Sequence, residues 1–316
     1  MKSTKIQKPL DKNSFSYEIK KNYVLYLFML PAVVFFICFS YMPMFGVLIA
    51  FKEVDYSLGI LRSPWIGLKN FTYLFSTPDA LLITRNTILY NLAFIIIGTT
   101  FTIFVSLLIN EITKSFAKKL CQGILFLPHF ISWVIAGYMF YVFLSPQYGY
   151  LNKNILEPLG IGDIQWYTTT KYWPYILVLA HMWKNTGYGT IVYLAGMTAI
   201  DSDLYEAAVI DGATKLQQAM HVTLPCLKPT IVVNMIMALG AIFSTDFGLF
   251  YFTTRNSAAL YPVTQVIGMY TYRALRELGD LGMSSAASLY QAAVGFVLVA
   301  FSNHIVKKVN SDMSLY

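Results

Sequence analysis

Six runs of apolar residues, at about 24–49, 87–110, 121–145, 173–198, 230–252 and 284–306, constrain this chain more than any other feature. Each exceeds the roughly 20 helical residues that cross a hydrocarbon core of about 30 Å. Apolar residues make up 56% of the chain and charged residues only 12%, well outside the soluble globular norm. The expected fold class is an all-α polytopic membrane protein with six transmembrane helices. Pro31, Pro128, Pro174 and Pro229 fall near the ends or first turns of the runs, where a missing amide donor matters least. Pro43 lies deeper and is placed to kink the first span.

The basic residues predict the orientation. Residues 1–22 form a polar tail with Lys2, Lys5, Lys8, Lys12, Lys20 and Lys21 against only Asp11 and Glu18, which assigns the amino terminus to the cytoplasm. An even number of spans then returns Lys307 and Lys308 to the same side, together with Lys114, Lys118 and Lys119 and the segment 199–228. The net charge of +7 is explained by this orientation, so nucleic acid is not an expected partner. The first apolar run is too long for a cleaved signal peptide and reads as a retained anchor. Cys38, Cys121 and Cys226 have neither metal-site nor disulfide spacing and are expected to be inert packing residues. Asn70-Phe71-Thr72 has the form of a glycosylation acceptor and reads as a chance match.

Between the fourth and fifth runs lies a compact polar stretch, Glu206-Ala207-Ala208-Val209-Ile210-Asp211-Gly212-Ala213, followed by Val222-Thr223-Leu224-Pro225. Asp203 and Glu206 have the spacing of a capping box, so a helix is expected from about residue 204. Gly212 can take the left-handed geometry that ends it, and Thr214 with Gln217 offers a second capping box. The prediction is two short helices at a sharp elbow, the second stopped by Pro225 and apolar along Leu216, Ala219, Met220 and Thr223.

Polar residues inside the apolar runs are the candidates for a transport path, because a charge at mid-membrane costs roughly 2.5–3.5 kcal/mol on insertion scales. The fourth run holds His181, Trp183, Lys184, Asn185 and Tyr188, and the fifth holds Asp246. Two readings stay open. In one, His181, Lys184, Asn185 and Asp246 line a water-filled path, with Trp183 and Tyr188 offering flat faces to a sugar ring. In the other, Asp246 neutralises Lys184 or His181 between packed helices. His129 and Trp133 are weaker candidates of the same kind. A gradient-driven carrier with His181, Lys184 and Asp246 as a proton relay is the alternative function. There is no phosphate-binding loop, dinucleotide fingerprint, zinc motif or nucleophile elbow, so no catalytic constellation and no metal site is expected.

The spacing Glu206-Ala207-Ala208, Gly212, then Val222-x-Leu224-Pro225 resembles the EAA motif of permease subunits in binding-protein-dependent ABC importers. Leu30-Pro31-Ala32, Tyr41-Met42-Pro43, Asn86-Thr87, Tyr193-Leu194-Ala195-Gly196 and Leu289-Tyr290-Gln291 resemble the carbohydrate-uptake branch, and within it the permeases for oligosaccharides from complex polysaccharides. The resemblance implies a type I ABC importer permease fold at 23–316 with a coupling loop at 199–228. It further implies a prokaryotic cell membrane location, a second six-span permease, two cytoplasmic ATP-binding cassette subunits and an extracytoplasmic solute-binding lipoprotein. This chain would bind no cofactor; ATP-Mg would belong to the ATPase subunits. Glu206 would make a charged contact with the ATPase, Ala207 and Ala208 would allow close approach, Gly212 would form the elbow, and Asp211 and Ala213 would complete the docking segment.

Overall fold

The computed structural model describes residues 15–76 and 79–309, so most of the expected basic tail, Lys2 to Lys12 included, lies outside the described residues. The described residues are helical, with a single isolated bridge between Lys52 and Trp65 in place of any strand. Four helices are long and apolar enough to cross a membrane: Tyr23–Phe51, Asp79–Asn110, Lys215–Gly240 and Leu281–His304. A bent pair, Ser115–Phe130 and Trp133–Leu144, makes a fifth if counted as one span. The fourth expected run forms one unbroken 26-residue helix, Trp173–Thr198, whose polar middle keeps it out of that apolar set.

The first run is continuous, and Pro43 changes its winding rather than breaking it. A wide turn at Ile37–Tyr41 precedes the proline and a tight 3₁₀ stretch, Met42–Phe51, follows. The Tyr23–Phe36 segment buries no residue, while Met42–Phe51 packs against the last helix, Leu281–Val309. Asn70 is buried, its amide donating to the carbonyls of Ala50 (3.0 Å) and Lys52 (2.9 Å), which accords with a structural role for the Asn-Phe-Thr triplet.

Two expectations about spans need correction. The third run is not one helix: it bends by 97° at Ile131-Ser132, just past Pro128. The fifth run does not reach 252. Its helix begins at Lys215 and ends at Gly240, and a separate short helix, Phe247–Thr254, follows. Pro225 consequently does not stop the second elbow helix. A widened turn, Ala219–Thr223, sits directly before it, with the Leu224 amide reaching back to the Ala219 carbonyl, and this register shift absorbs the proline.

Two core clusters hold the Trp173–Thr198 helix, one at each end. At its start Trp173, Leu177 and Ala180 are fully buried with Leu249 and Phe250, and the Trp173 indole donates to the Trp166 carbonyl at 2.7 Å. At its end Leu194 and Met197 pack on Ile109 and Leu227. The middle of the helix, 181–193, belongs to neither cluster and faces the cavity described next.

Candidate transport site

The elbow forms from short-range rules. Its first helix is Ser202–Ile210, capped by Asp201, whose carboxylate accepts from the Asp203 amide at 3.1 Å. The expected Asp203–Glu206 box is therefore absent: the cap sits two residues earlier, which leaves Glu206 exposed and unengaged by any described cap. Gly212 ends the helix with φ +76°, while the amides of Gly212 and Ala213 bond back to Val209 (3.0 Å) and Ala208 (2.9 Å). Thr214 and Gln217 then make the predicted capping box.

Docked against the membrane helices, the elbow is held by few contacts. Tyr205 and Thr223 share a hydrogen bond of 2.9 Å between hydroxyls, and Lys215 lies 3.4 Å from Glu111, an exposed pair of small energetic weight. Glu206, Ala207, Asp211 and Gly212 are exposed, and Ala208 and Ala213 half-buried. Large apolar side chains beside them are open as well: Val209 is 60% and Ile210 85% exposed.

The polar residues of the central helix separate into two groups. His181, Asn185 and Tyr188, on successive turns of one face, line a cavity of about 360 Å³. The His181 ring stacks on Phe94 (centroids 4.0 Å apart, planes at 10°), and the Asn185 amide lies 3.3 Å from its Nδ1. Tyr188 stacks on His129 at 4.6 Å, which in turn stacks on Phe126. Neighbouring helices add Asn91, Thr99, Thr102 and Asn234, and the link after Gly240 adds Ser244. These five were missed by the sequence reading, although Asn91 and Asn234 interrupt apolar runs and signal a polar neighbour. Every lining group is neutral or, in His181, a stacked imidazole, so the wall offers hydrogen bonds and ring faces without a fixed charge.

Lys184 and Asp246 form the second group, outside that cavity. The Lys184 ammonium donates to the carbonyls of Pro128 (3.3 Å), His129 (3.0 Å) and Ile131 at the end of the Ser115–Phe130 helix, the first of which also accepts from the Ile131 amide at 3.2 Å. Asp246 caps the Phe247–Thr254 helix, accepting from the Leu249 amide at 3.2 Å. Trp133 joins the two, its indole nitrogen donating to Asp246 at 2.9 Å and its ring lying 5.3 Å from the Lys184 ammonium. Lys184 and Asp246 make no direct ion pair among the described residues but lie within electrostatic reach of each other, and each also closes a helix end. Glycine makes the assembly fit: a Cβ at Gly187 would overlap the Leu125 carbonyl, and one at Gly248 would overlap the Trp133 ring. Trp183 points elsewhere, onto an apolar surface beside Phe140, and is 37% exposed. The proton-relay arrangement is not formed, because His181 bonds neither Lys184 nor Asp246.

An open cavity with polar side chains set among apolar ones, flanked by long apolar helices and with an exposed elbow just beyond the end of one of them, is the build of a membrane permease. The chain belongs to the family described as binding-protein-dependent transport system inner membrane component, which its residues 95–311 match. It is 36% identical over 288 residues to the polygalacturonan/rhamnogalacturonan transport system permease protein YteP of Bacillus subtilis (strain 168), covering 91% of this chain and 89% of the relative. Protein LplB of the same organism is 32% identical over 299 residues, covering 93% and 92%. A bacterial ABC transporter involved in import of the acidic polysaccharide alginate superposes with a TM-score of 0.84 at 33% identity, over 93% of this chain and 98% of that one. The fold is therefore that of an ABC importer permease, multi-pass in the membrane, and the gradient-driven alternative is set aside.

Proposed function

We propose that this chain is one of two permeases that enclose the path of an oligosaccharide importer, powered by two ATP-binding cassette subunits that hold ATP-Mg. The supporting observation is continuity. The elbow's second arm continues as the helix Lys215–Gly240, which carries Asn234 on the cavity wall, while the Trp173–Thr198 helix that lines the same cavity ends three residues before the elbow's first arm begins at Ser202, so movement of the elbow is passed to the sugar path. In this reading Glu206, Ala207, Ala208, Asp211, Gly212 and Ala213 seat in a groove of the ATPase. His181, Asn185 and Tyr188, with Asn91 and Asn234, offer amides, an imidazole and a ring face to sugar hydroxyls. An extracytoplasmic lipoprotein delivers the glycan, the second permease supplies the opposite wall, and both termini lie in the cytoplasm. Lys184 and Asp246 act on the path indirectly, by holding the broken helices in place.

The test is Gly212→Asp in the complex reconstituted with its partner subunits. No side chain lies within 4 Å of a Cβ at this position, so the defect is one of backbone geometry and the chain still inserts. Membrane levels should match the wild type while glycan-stimulated ATP hydrolysis is lost. Normal stimulation would overturn the docking assignment, and uptake driven by an imposed ion gradient without ATP would overturn the mechanism.

A further inference from the structure

A second pocket, of about 230 Å³, lies outside the cavity described above, between the Trp133–Leu144 and Phe247–Thr254 helices. Tyr138 and Tyr141 from one helix and Tyr251, Arg255 and Asn256 from the other line it. Tyr138 and Tyr141, three apart, share a face of their helix, while Tyr251 lies in the last turn of the other and Arg255 and Asn256 follow directly after its end. The two helices approach closely because Gly137 lacks a side chain: a Cβ there would sit 2.6 Å from the Phe252 carbonyl oxygen.

This pocket is at the end of the molecule opposite the elbow. Tyr141 packs on Tyr167, and Tyr167 on Trp173, the first residue of the central helix. The elbow follows the last residue of that helix, about 38 Å away at 1.5 Å per residue.

Arg255 is displayed there by an unusual backbone. It and Asn256 are consecutive non-glycine residues in the left-handed region, with φ of 55° and 48°. Arginine rarely adopts that conformation, and the turn persists because its surroundings hold it: Asn256 donates to Glu277 at 3.1 Å and accepts from Tyr261 at 3.3 Å. The Arg255 guanidinium lies flat over the Tyr141 ring, 4.1 Å from its centroid. Stacking uses the face of the guanidinium and leaves its N–H edge available. Arg255 is exposed and pairs with no carboxylate among the described residues, the nearby Glu277 being engaged by Asn256. Tyr138 is 66% exposed beside it, and the Tyr167 hydroxyl is buried behind it without a partner.

A planar cation over one aromatic ring, with further rings alongside, matches the chemistry of a sugar that carries a carboxylate. The rings take the C–H face of the pyranose and the guanidinium edge takes the carboxylate through two parallel hydrogen bonds. We propose that this pocket is an entry subsite for a uronate ring of the incoming oligosaccharide, with Arg255 as its charge-reading residue. The inference rests on the oligosaccharide-import reading and sharpens it. The inner cavity is neutral, so discrimination for acidic glycans would occur at the mouth, before the sugar reaches His181 and Asn185.

The experiment uses the complex with its partner subunits in proteoliposomes, supplied with binding protein loaded with a short galacturonate oligosaccharide. Arg255→Gln should raise the half-saturating concentration by about tenfold with little change in maximal rate, the loss of one charged contact, and Arg255→Lys should recover part of it. Tyr138→Ala, which keeps the charge and removes a ring, should weaken uptake less. Affinity of the glycan-free binding protein for the complex should be unchanged in Arg255→Gln. A fall in that affinity would overturn the subsite in favour of a protein–protein contact, and an unaltered response to galacturonate would overturn it outright. A wild-type complex that responds only to neutral glycans would overturn the subsite and leave the import reading standing. One that responds to no glycan would overturn both.

Discussion

The elbow at 201–223 and the junction around Trp133 are both places where helices end, and they solve that problem by opposite means. At the elbow each end is closed by residues no more than five positions away: Asp201 by the Asp203 amide, Gly212 and Ala213 by Val209 and Ala208, Thr214 by Gln217. At the junction the local caps of Ser132 on Ile135 and Asp246 on Leu249 are joined by closures from a distance. Lys184 reaches carbonyls 53 to 56 residues earlier, and Trp133 reaches Asp246 across 113 residues. A locally closed turn keeps its shape while standing in solvent, as the proposed docking role requires. A remotely closed one exists only while the membrane helices are assembled, so it reports and enforces their packing.

Substitutions at the two regions should separate these modes. The largest effect is expected at the junction, for Gly187→Val, since the added side chain meets the backbone of Leu125 and no flexible neighbour can yield. Overpacking of this kind costs about 1–3 kcal/mol or more, and folded protein recovered in detergent should fall severalfold, measured by size-exclusion yield and melting temperature. Next is Lys184→Met, which leaves the end of the Ser115–Phe130 helix without its donor. A loss of about 2 kcal/mol is expected, with uptake reduced and Lys184→Arg restoring most of it. If Lys184→Met were silent while Asp246→Asn abolished transport, the two charges would not be acting as a pair of helix closures. The smallest effect is expected at the elbow, where Thr214→Ala removes one cap worth about 1 kcal/mol. Global stability should scarcely move, and coupling efficiency, read as ATP hydrolysed per glycan imported, should decline.

This contrast also explains what the sequence disclosed. Four of the six runs appear as unbroken helical stretches near their expected positions, the fourth residue for residue, because a long apolar stretch needs no distant partner to be recognised. Gly212 and the Thr214–Gln217 box were legible for the same reason, being decided within one turn of chain. The misreadings fall where local signals compete or where the deciding partner is remote. Asp201 and Asp203 both have the chemistry of a cap, and the choice of Asp201 followed from where the preceding helix released the chain. Pro225 has the strength to stop a helix, yet the wide turn before it absorbed the missing donor. The 97° break at Ile131 had a local trace in Pro128 and in Ser132, which caps the second half by accepting from Ile135 at 3.3 Å. What sustains that break is Lys184, whose role no reading confined to its own helix would assign. Of the expected path residues, His181, Asn185 and Tyr188 share a cavity because they share a helical face, while Trp183, Lys184 and Asp246 point to other tasks.

Because Pro225 does not end its helix, the second arm of the elbow and the fifth membrane helix are a single rod from Lys215 to Gly240. Asn234, on the cavity wall, lies 19 residues along that rod from Lys215, about 29 Å at 1.5 Å per residue. A rod pivoting at its exposed end by about 5° carries the far point sideways by about 2.5 Å, close to the length of a hydrogen bond. In the proposed importer the proline turn would thus act as a crank: a small tilt imposed on the elbow would move Asn234 at the cavity wall by about that distance.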